Sequence, residues 1–215
     1  KNKQELAFEP IDLGYLFKGK SDCGTAAGQV ACNISGPRRF KVGSTRDHIL
    51  GFRAVNGRGE VIKSGGTVVK NVTGYDLSKL ICNSFGTLAV ITEITFKVLP
   101  ASEDSKTLVI HNLKIDSAPE YLEKALSSSN EISGASFLPI EPICRSCEMN
   151  IENTFKLNDL RYTGSLTAFR IEGLKKSIDE RLESLKKELK IQEFDISVLE
   201  NLQSEIFWNK IKNLE

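Results

Sequence analysis

Glycine is distributed so unevenly along this chain that it divides the sequence before any periodicity is read. All but three of the 16 glycines lie between Gly14 and Gly86, and only Gly134, Gly164 and Gly173 follow Pro100. Because glycine enters backbone conformations closed to other residues, the first part is expected to turn tightly and let other groups approach its backbone. The second part is expected to be conventional helix and strand. The boundary reads as Leu99 to Asp104, where an alternating segment ends in Pro100 and the polar run Ser102-Glu103-Asp104-Ser105 serves as a linker. The expected domains are therefore residues 1–100 and 101–215.

Composition removes several classes. At 40% hydrophobic and 27% charged residues, the 215-residue chain is ordinary globular protein. Its net charge of +1 argues against a nucleic-acid or anionic-membrane footprint. No apolar run approaches the roughly 20 residues of a membrane-spanning helix. Five scattered cysteines suit a reducing compartment better than a disulfide scaffold, so a cytoplasmic location is expected, peripheral to the inner face of a membrane only through partners. The chain opens on Lys1 instead of Met and stops at Glu215 inside a helical pattern, as expected of a piece of something longer.

In the first part, Leu50 to Val55 and Glu60 to Lys63 flank the turn cluster Asn56-Gly57-Arg58-Gly59, predicting a hairpin. From Thr87 to Leu99, alternation places Leu88, Val90, Ile94, Phe96 and Val98 on one face of a long strand, with Thr92 as the single break. One helix is expected to start near Thr25 and another to be capped by Thr73 and run through Ile81. The second part reads as strand Thr107 to His111, helix Ser117 to Ser127, strand Ala135 to Leu138, strand Leu166 to Ile171 and helix Leu174 to Lys190. The stripe Leu174, Ile178, Leu182, Leu185 and Leu189 predicts core contact along that helix. A last amphipathic segment carries Leu202, Ile206, Phe207 and Ile211. The order suggests a small α+β layer of the split β-α-β type.

The densest chemical signal is the run from Cys23 to Arg39. Small residues at Gly24, Thr25, Ala26, Ala27 and Gly28 admit close approach, and a helix start beside them would aim N–H groups at an anionic or carbonyl-rich ligand. Glycines serving only tight turns remain the structural alternative. Lys70-Asn71-Val72-Thr73-Gly74-Tyr75-Asp76-Leu77 and Ser84-Phe85-Gly86-Thr87-Leu88-Ala89-Val90-Ile91-Thr92-Glu93 add two further clusters.

Together these segments resemble the flavin-binding domain of the vanillyl-alcohol oxidase and D-lactate dehydrogenase superfamily, and in particular the FAD-binding subunits of bacterial glycolate oxidases. The resemblance covers residues 4–100 strongly and the rest weakly. It implies an α+β fold class: the second part of a PCMH-type FAD-binding domain, with its N-terminal part missing, followed by a small α+β cap domain. It implies FAD as cofactor, with Gly24, Thr25, Ala26, Ala27 and Gly28 at the isoalloxazine and ribityl-phosphate loop, and Ser35 and Gly36 just after the short helix. Gly86, Thr87, Leu88, Ala89, Val90 and Ile91 would run beside the adenosine half. Two methyl groups depart from the family pattern: Ala27-Gly28 replaces Gly-Gly, and Leu88-Ala89 replaces Leu-Gly.

The implied activity is oxidation of a small 2-hydroxy acid, glycolate to glyoxylate, within a complex with a second flavin-domain subunit and an iron-sulfur subunit. An assembly subunit that no longer uses flavin is the competing reading. No residue stands out as a catalytic base, so the chain alone is not expected to oxidise glycolate. His48 and His111, the only histidines, are expected to be structural, His48 drawing more interest from its Arg46-Asp47-His48 setting. Cys144-Arg145-Ser146-Cys147 lacks the second pair that a metal site needs. Asn71-Val72-Thr73 fits a glycosylation pattern by accident, and Arg38, Arg39 and Lys41 read as a solvated basic loop, with assistance to a phosphate or a partner subunit as the open alternative.

Overall fold

The computed structural model describes residues 2–14, 24–69, 74–139, 155–157, 160–162 and 164–213. They divide into unit 1, Lys1–Ala101 with Lys210–Glu215, and unit 2, Ser102–Asn209.

Unit 1 begins with β1 (Gln4–Glu5), followed by α1 (Ala26–Cys32), α2 (Arg39–Val42) and a 3-10 turn at Thr45–His48. Strands β2 (Ile49–Asn56) and β3 (Val61–Gly65) form the hairpin, its turn closed by Asn56 N–H donating to Glu60 O at 3.0 Å. The Asn56 side chain accepts from the N–H of Arg58 and Glu60, the local bonding that makes Asn a turn residue. Helix α3 (Leu77–Ile81) is capped by Asp76, whose carboxylate accepts from Lys79 N–H at 3.3 Å; the expected cap Thr73 lies outside the described residues. Strand β4 (Ala89–Phe96) pairs with β2 to give the antiparallel order β3-β2-β4, and β5 (Leu99–Pro100) pairs with β1.

The β4 pattern corrects the expected one. Arg53 faces Glu93 but Ala54 faces Ile91, so Thr92 is an extra residue, and its hydroxyl donates to Arg53 O at 3.1 Å. Such a bulge shifts alternation by one residue. Ala89 and Ile91 before it and Ile94 and Phe96 after it all join buried clusters, whereas Leu88 and Val90 stand 49% and 68% exposed.

Unit 2 runs β6 (Asp104–His111), α4 (Ala118–Leu126), β7 (Gly134–Leu138), β8 (Phe155–Leu157), β9 (Leu160–Tyr162), β10 (Leu166–Gly173), α5 (Lys175–Leu189), β11 (Ile196–Glu200) and α6 (Asn201–Asn213), the last four residues of α6 counting with unit 1. Its sheet is antiparallel in the order β11-β6-β10-β7. With a helix after the first and third of these strands, this is the split β-α-β arrangement; β8 and β9 pair with each other. Leu108, Ile110, Phe169 and Ile171 from the sheet meet Ile178, Leu182, Leu185 and Leu189 from α5 in one core. Three expectations change. Leu174 caps α5 at 61% exposure instead of joining the stripe, Leu202 is exposed while α6 buries Ser204, Phe207 and Trp208, and Asp104 and Ser105 belong to β6 and not to a linker.

Candidate functional site

A cleft of about 250 Å³ opens in unit 1 at the start of α1. Gly24, Thr25, Ala26 and Gln29 form one side; Leu6, Phe8, Pro10, Ile11, Asp12 and Phe96 form the other. Thr25 adopts the extended conformation of an N-cap (φ −124°, ψ 151°), and its hydroxyl oxygen accepts from Gly28 N–H at 3.0 Å. That bond uses the Gly28 N–H for the cap. The Gln29 amide clamps the opposite wall, bonding Ile11 through both its oxygen and its nitrogen. A Cβ built at Gly24 meets nothing closer than 3.8 Å, whereas one at Gly28 comes within 3.2 Å of the Thr25 hydroxyl. Gly24 thus leaves open space, and Gly28 makes room for the cap.

Ser35 and Gly36 lie in a hydrogen-bonded corner away from the cleft lining. Ser35 Oγ accepts from Thr45 N–H at 2.8 Å and lies 3.1 Å from Thr45 Oγ1, which donates to Ile34 O. Gly36 is buried with its N–H on Phe8 O at 2.9 Å, and an added Cβ would stand 2.7 Å from Glu9 Cβ. The second segment lies at the other end of α1: Asn83 N–H donates to Val30 O at 3.1 Å and Phe85 N–H to Ala31 O at 2.9 Å. Seven helical residues separate the two segments by about 10 Å along the axis. Gly86 has φ +74° and nothing within 4 Å of a built Cβ, so backbone conformation and not close approach selects glycine there. Thr87 bonds back to Ser84 O through its N–H and hydroxyl. Gly86, Thr87, Leu88 and Val90 are exposed, whereas Ala89 carries its methyl into the cluster of Phe52, Ala54 and Ile81. The methyl that departs from the family pattern at Ala89 thus packs into the core of unit 1. Ile91 is half-buried between the two clusters.

His48 is 2% exposed, its Nε2 3.0 Å from Val42 O and its ring 5.6 Å from that of Phe8. Phe8 in turn stacks on Phe96 at 5.5 Å, so His48 backs the cleft wall without lining it. Its Nδ1 and the Ser84 hydroxyl are buried without a hydrogen-bond partner. Asp47 accepts from Ser44 N–H at 2.8 Å and Ser44 Oγ at 2.9 Å. Partial burial opposes its charge, but these bonds, with Lys79 and His48 nearby, outweigh it and hold the carboxyl below its ordinary range. Burial pushes the Cys82 thiol up, against the pull of Arg46 and Lys79, so it is a packing group that donates to Asn33 Oδ1 at 3.4 Å. His111 sits on β6 with Nε2 2.8 Å from Ser197 Oγ on β11. Arg38 corrects the solvated basic loop: it is 9% exposed and ion-paired with Glu5 and Glu9, while Arg39 and Lys41 are exposed.

Residues 12–65, which include Asp12 and the Gly24–Gln29 side of the cleft, match the family described as FAD binding domain. This part of the chain is similar to an FAD binding domain. The chain is 51% identical over 84 residues to glycolate oxidase subunit GlcE of Escherichia coli K12, covering 39% of this chain and 24% of that protein. It is 42% identical over 108 residues to a D-lactate dehydrogenase of Anaerostipes hadrus, covering 50% and 21% respectively. The chain thus spans under a quarter of the length of these relatives. Among solved structures, an alkyldihydroxyacetonephosphate synthase superposes with a TM-score of 0.64 at 20% identity, over 90% of this chain and 36% of that one. At that identity the likeness speaks for the α+β fold alone.

The cleft suits part of such a cofactor. Its volume is below the roughly 300–1,000 Å³ of pockets that enclose a whole ligand, its walls are largely apolar, and the small residues Gly24 and Ala26 leave the floor open to a flat ring. Thr25 and Asp12 supply polar atoms at its edge. The wall residues Leu6 and Phe8 carry no motif and were not singled out from the sequence, and Phe96 was read only as part of the apolar face of the long strand. Among the described residues, no group of three His, Cys, Asp or Glu side chains is placed to hold a metal, and no helix is long and apolar enough to cross a membrane. The pair Cys144 and Cys147, like Asn71, lies outside the described residues.

Proposed function

We propose that the full protein oxidises a small 2-hydroxy acid of the glycolate or lactate kind with FAD, and that unit 1 supplies one wall of the cofactor site. The carrying observation is the cleft at Gly24, Thr25 and Ala26, which lies within the part of the chain that matches the FAD-binding family. Gly24 to Gly28 are assigned to the ring end of the cofactor, with Ser35 and Gly36 holding the corner behind them. Gly86 to Ile91 are assigned to the other half, ~10 Å along α1, with contact through the exposed backbone of Gly86 to Leu88. FAD, when bound, supplies the two-electron acceptor for the substrate C–H bond. This chain's part is to exclude water from one side of the ring and to hold it through small residues and the Thr25 hydroxyl.

No described side chain of the cleft is a histidine or a cation, so the group that takes the hydroxyl proton and the cation that holds the substrate carboxylate are assigned to a partner. The names of the relatives, subunits of glycolate oxidases, support a multi-subunit complex, to which a second flavin-domain subunit and an iron-sulfur electron acceptor at the inner face of the membrane are assigned. Gly24→Leu is the direct test, because the fold has room for its Cβ while the side chain fills the cleft. The full-length variant is expected to bind FAD at least tenfold more weakly by fluorescence titration, with unchanged far-ultraviolet circular dichroism. Wild-type affinity would refute the cleft as the cofactor wall. Dye reduction with glycolate is expected only once partner subunits are added.

A further inference from the structure

Arg38 is buried, although it opens the basic run Arg38-Arg39-Phe40-Lys41. Its guanidinium meets two carboxylates: Nη1 donates to Glu5 Oε1, and Nε lies 3.8 Å from Glu9 Oε1. Its backbone N–H donates to Glu9 Oε2 at 2.7 Å, so Glu9 is held by both the main chain and the side chain of one residue. Glu5 and Glu9 bracket the segment that supplies Leu6 and Phe8 to the cleft, with Pro10 next to it. The segment is also held by the two-residue pairing of β1 with β5, by Glu9 N–H on Leu6 O, by Gly36 N–H on Phe8 O and, just beyond it, by Gln29 on Ile11. Glu9 also stands in a left-handed conformation, φ +52°, which an unclamped glutamate disfavours.

Resting on the reading of the cleft as a flavin wall, we propose that Arg38 is a positioning residue for the cofactor: it does not itself line the cleft, and through Glu5 and Glu9 it sets the distance between the Leu6–Pro10 wall and the Gly24–Ala26 side. Burying a guanidinium with two carboxylates is a poor way to gain stability, since the desolvation of the ions offsets their attraction. It is an effective way to fix geometry, because the planar fork accepts one arrangement of its partners. Lysine, with one rotatable ammonium, keeps the charge and loses the fork.

The test compares full-length Arg38→Lys, Arg38→Met, Glu5→Gln and the double variant Arg38→Met/Glu5→Gln, with Gly24→Leu as the control for the cleft. Arg38→Lys is expected to bind FAD threefold to tenfold more weakly and to change the visible circular dichroism of the bound flavin, which reports the wall beside the ring. Arg38→Met is expected to lose at least tenfold, and the double variant to lose no more than Arg38→Met alone, because both substitutions break one clamp. Arg38→Lys folds with its charge intact, so it decides the matter if Arg38→Met does not fold. Wild-type affinity and an unchanged flavin spectrum in Arg38→Lys, beside loss of FAD in Gly24→Leu, overturn the positioning role and leave the cleft standing. Retention of FAD by Gly24→Leu overturns both.

Discussion

Unit 2 gathers Leu108, Ile110, Phe169, Ile171 and the α5 face into one core, whereas unit 1 splits its buried side chains into small clusters around Phe52 and Val30. Unit 1 also leaves Val61, Tyr75, Leu80, Phe85, Leu88 and Val90 more than half exposed or nearly so. The difference follows from what each backbone does. Two helices laid on one face of an antiparallel sheet bury a continuous apolar layer. A three-stranded sheet interrupted by loops with left-handed residues at Asn83, Phe85 and Gly86 holds its shape through caps and side-chain bonds instead, as at Thr25, Ser35 and Asp47. Unit 2 is thus built as a packed scaffold, and unit 1 as a set of positioned loops beside a cleft.

The contrast breaks most visibly at Phe169, which is fully buried. Phe169→Ala is expected to cost about 3–5 kcal/mol, read from the urea midpoint of the fluorescence of Trp208, the only tryptophan. A loss under ~1 kcal/mol would mean that the unit 2 core is not continuous.

Adjacent residues of β4 sharpen it. With the bulge at Thr92, Ile91→Thr is expected to destabilise by about 1–3 kcal/mol through a half-buried hydroxyl and lost apolar contact, and Val90→Thr by less than about 0.5 kcal/mol. Hydrogen exchange of the β2 and β4 amides measures both. The opposite order would restore the unbroken alternation that the sequence suggests.

The Ser44–Asp47 cap tests the local bonds that hold unit 1. Asp47→Ala is expected to cost about 1 kcal/mol near neutral pH. The folded carboxyl titrates below its ordinary 3.8, so the stabilisation is complete above about pH 4 and disappears as pH falls through the lower folded value. Melting curves of variant and wild type should therefore converge in acid; a gap of undiminished size in strong acid would contradict the charged cap.

The hairpin at Asn56-Gly57-Arg58-Gly59, the helix start near Thr25, the α5 stripe from Ile178 to Leu189 and the split β-α-β order were legible because each rests on local chemistry: turn residues, helix-start signals and helical spacing. The flavin-domain segments were legible as motifs, with FAD as their consequence. Tertiary structure alone decided the face of β4, because a bulge depends on the register of the partner strand and not on the strand's own residues. It also decided that Leu174 and Leu202 face outward while Trp208 is buried. Above all it turned Arg38 from one cation in a basic run into a clamp with Glu5 and Glu9, 33 and 29 residues away in the chain. Sequence spacing carries no record of such pairs, because the carboxylates reach the guanidinium only after β1 and α2 have taken their places.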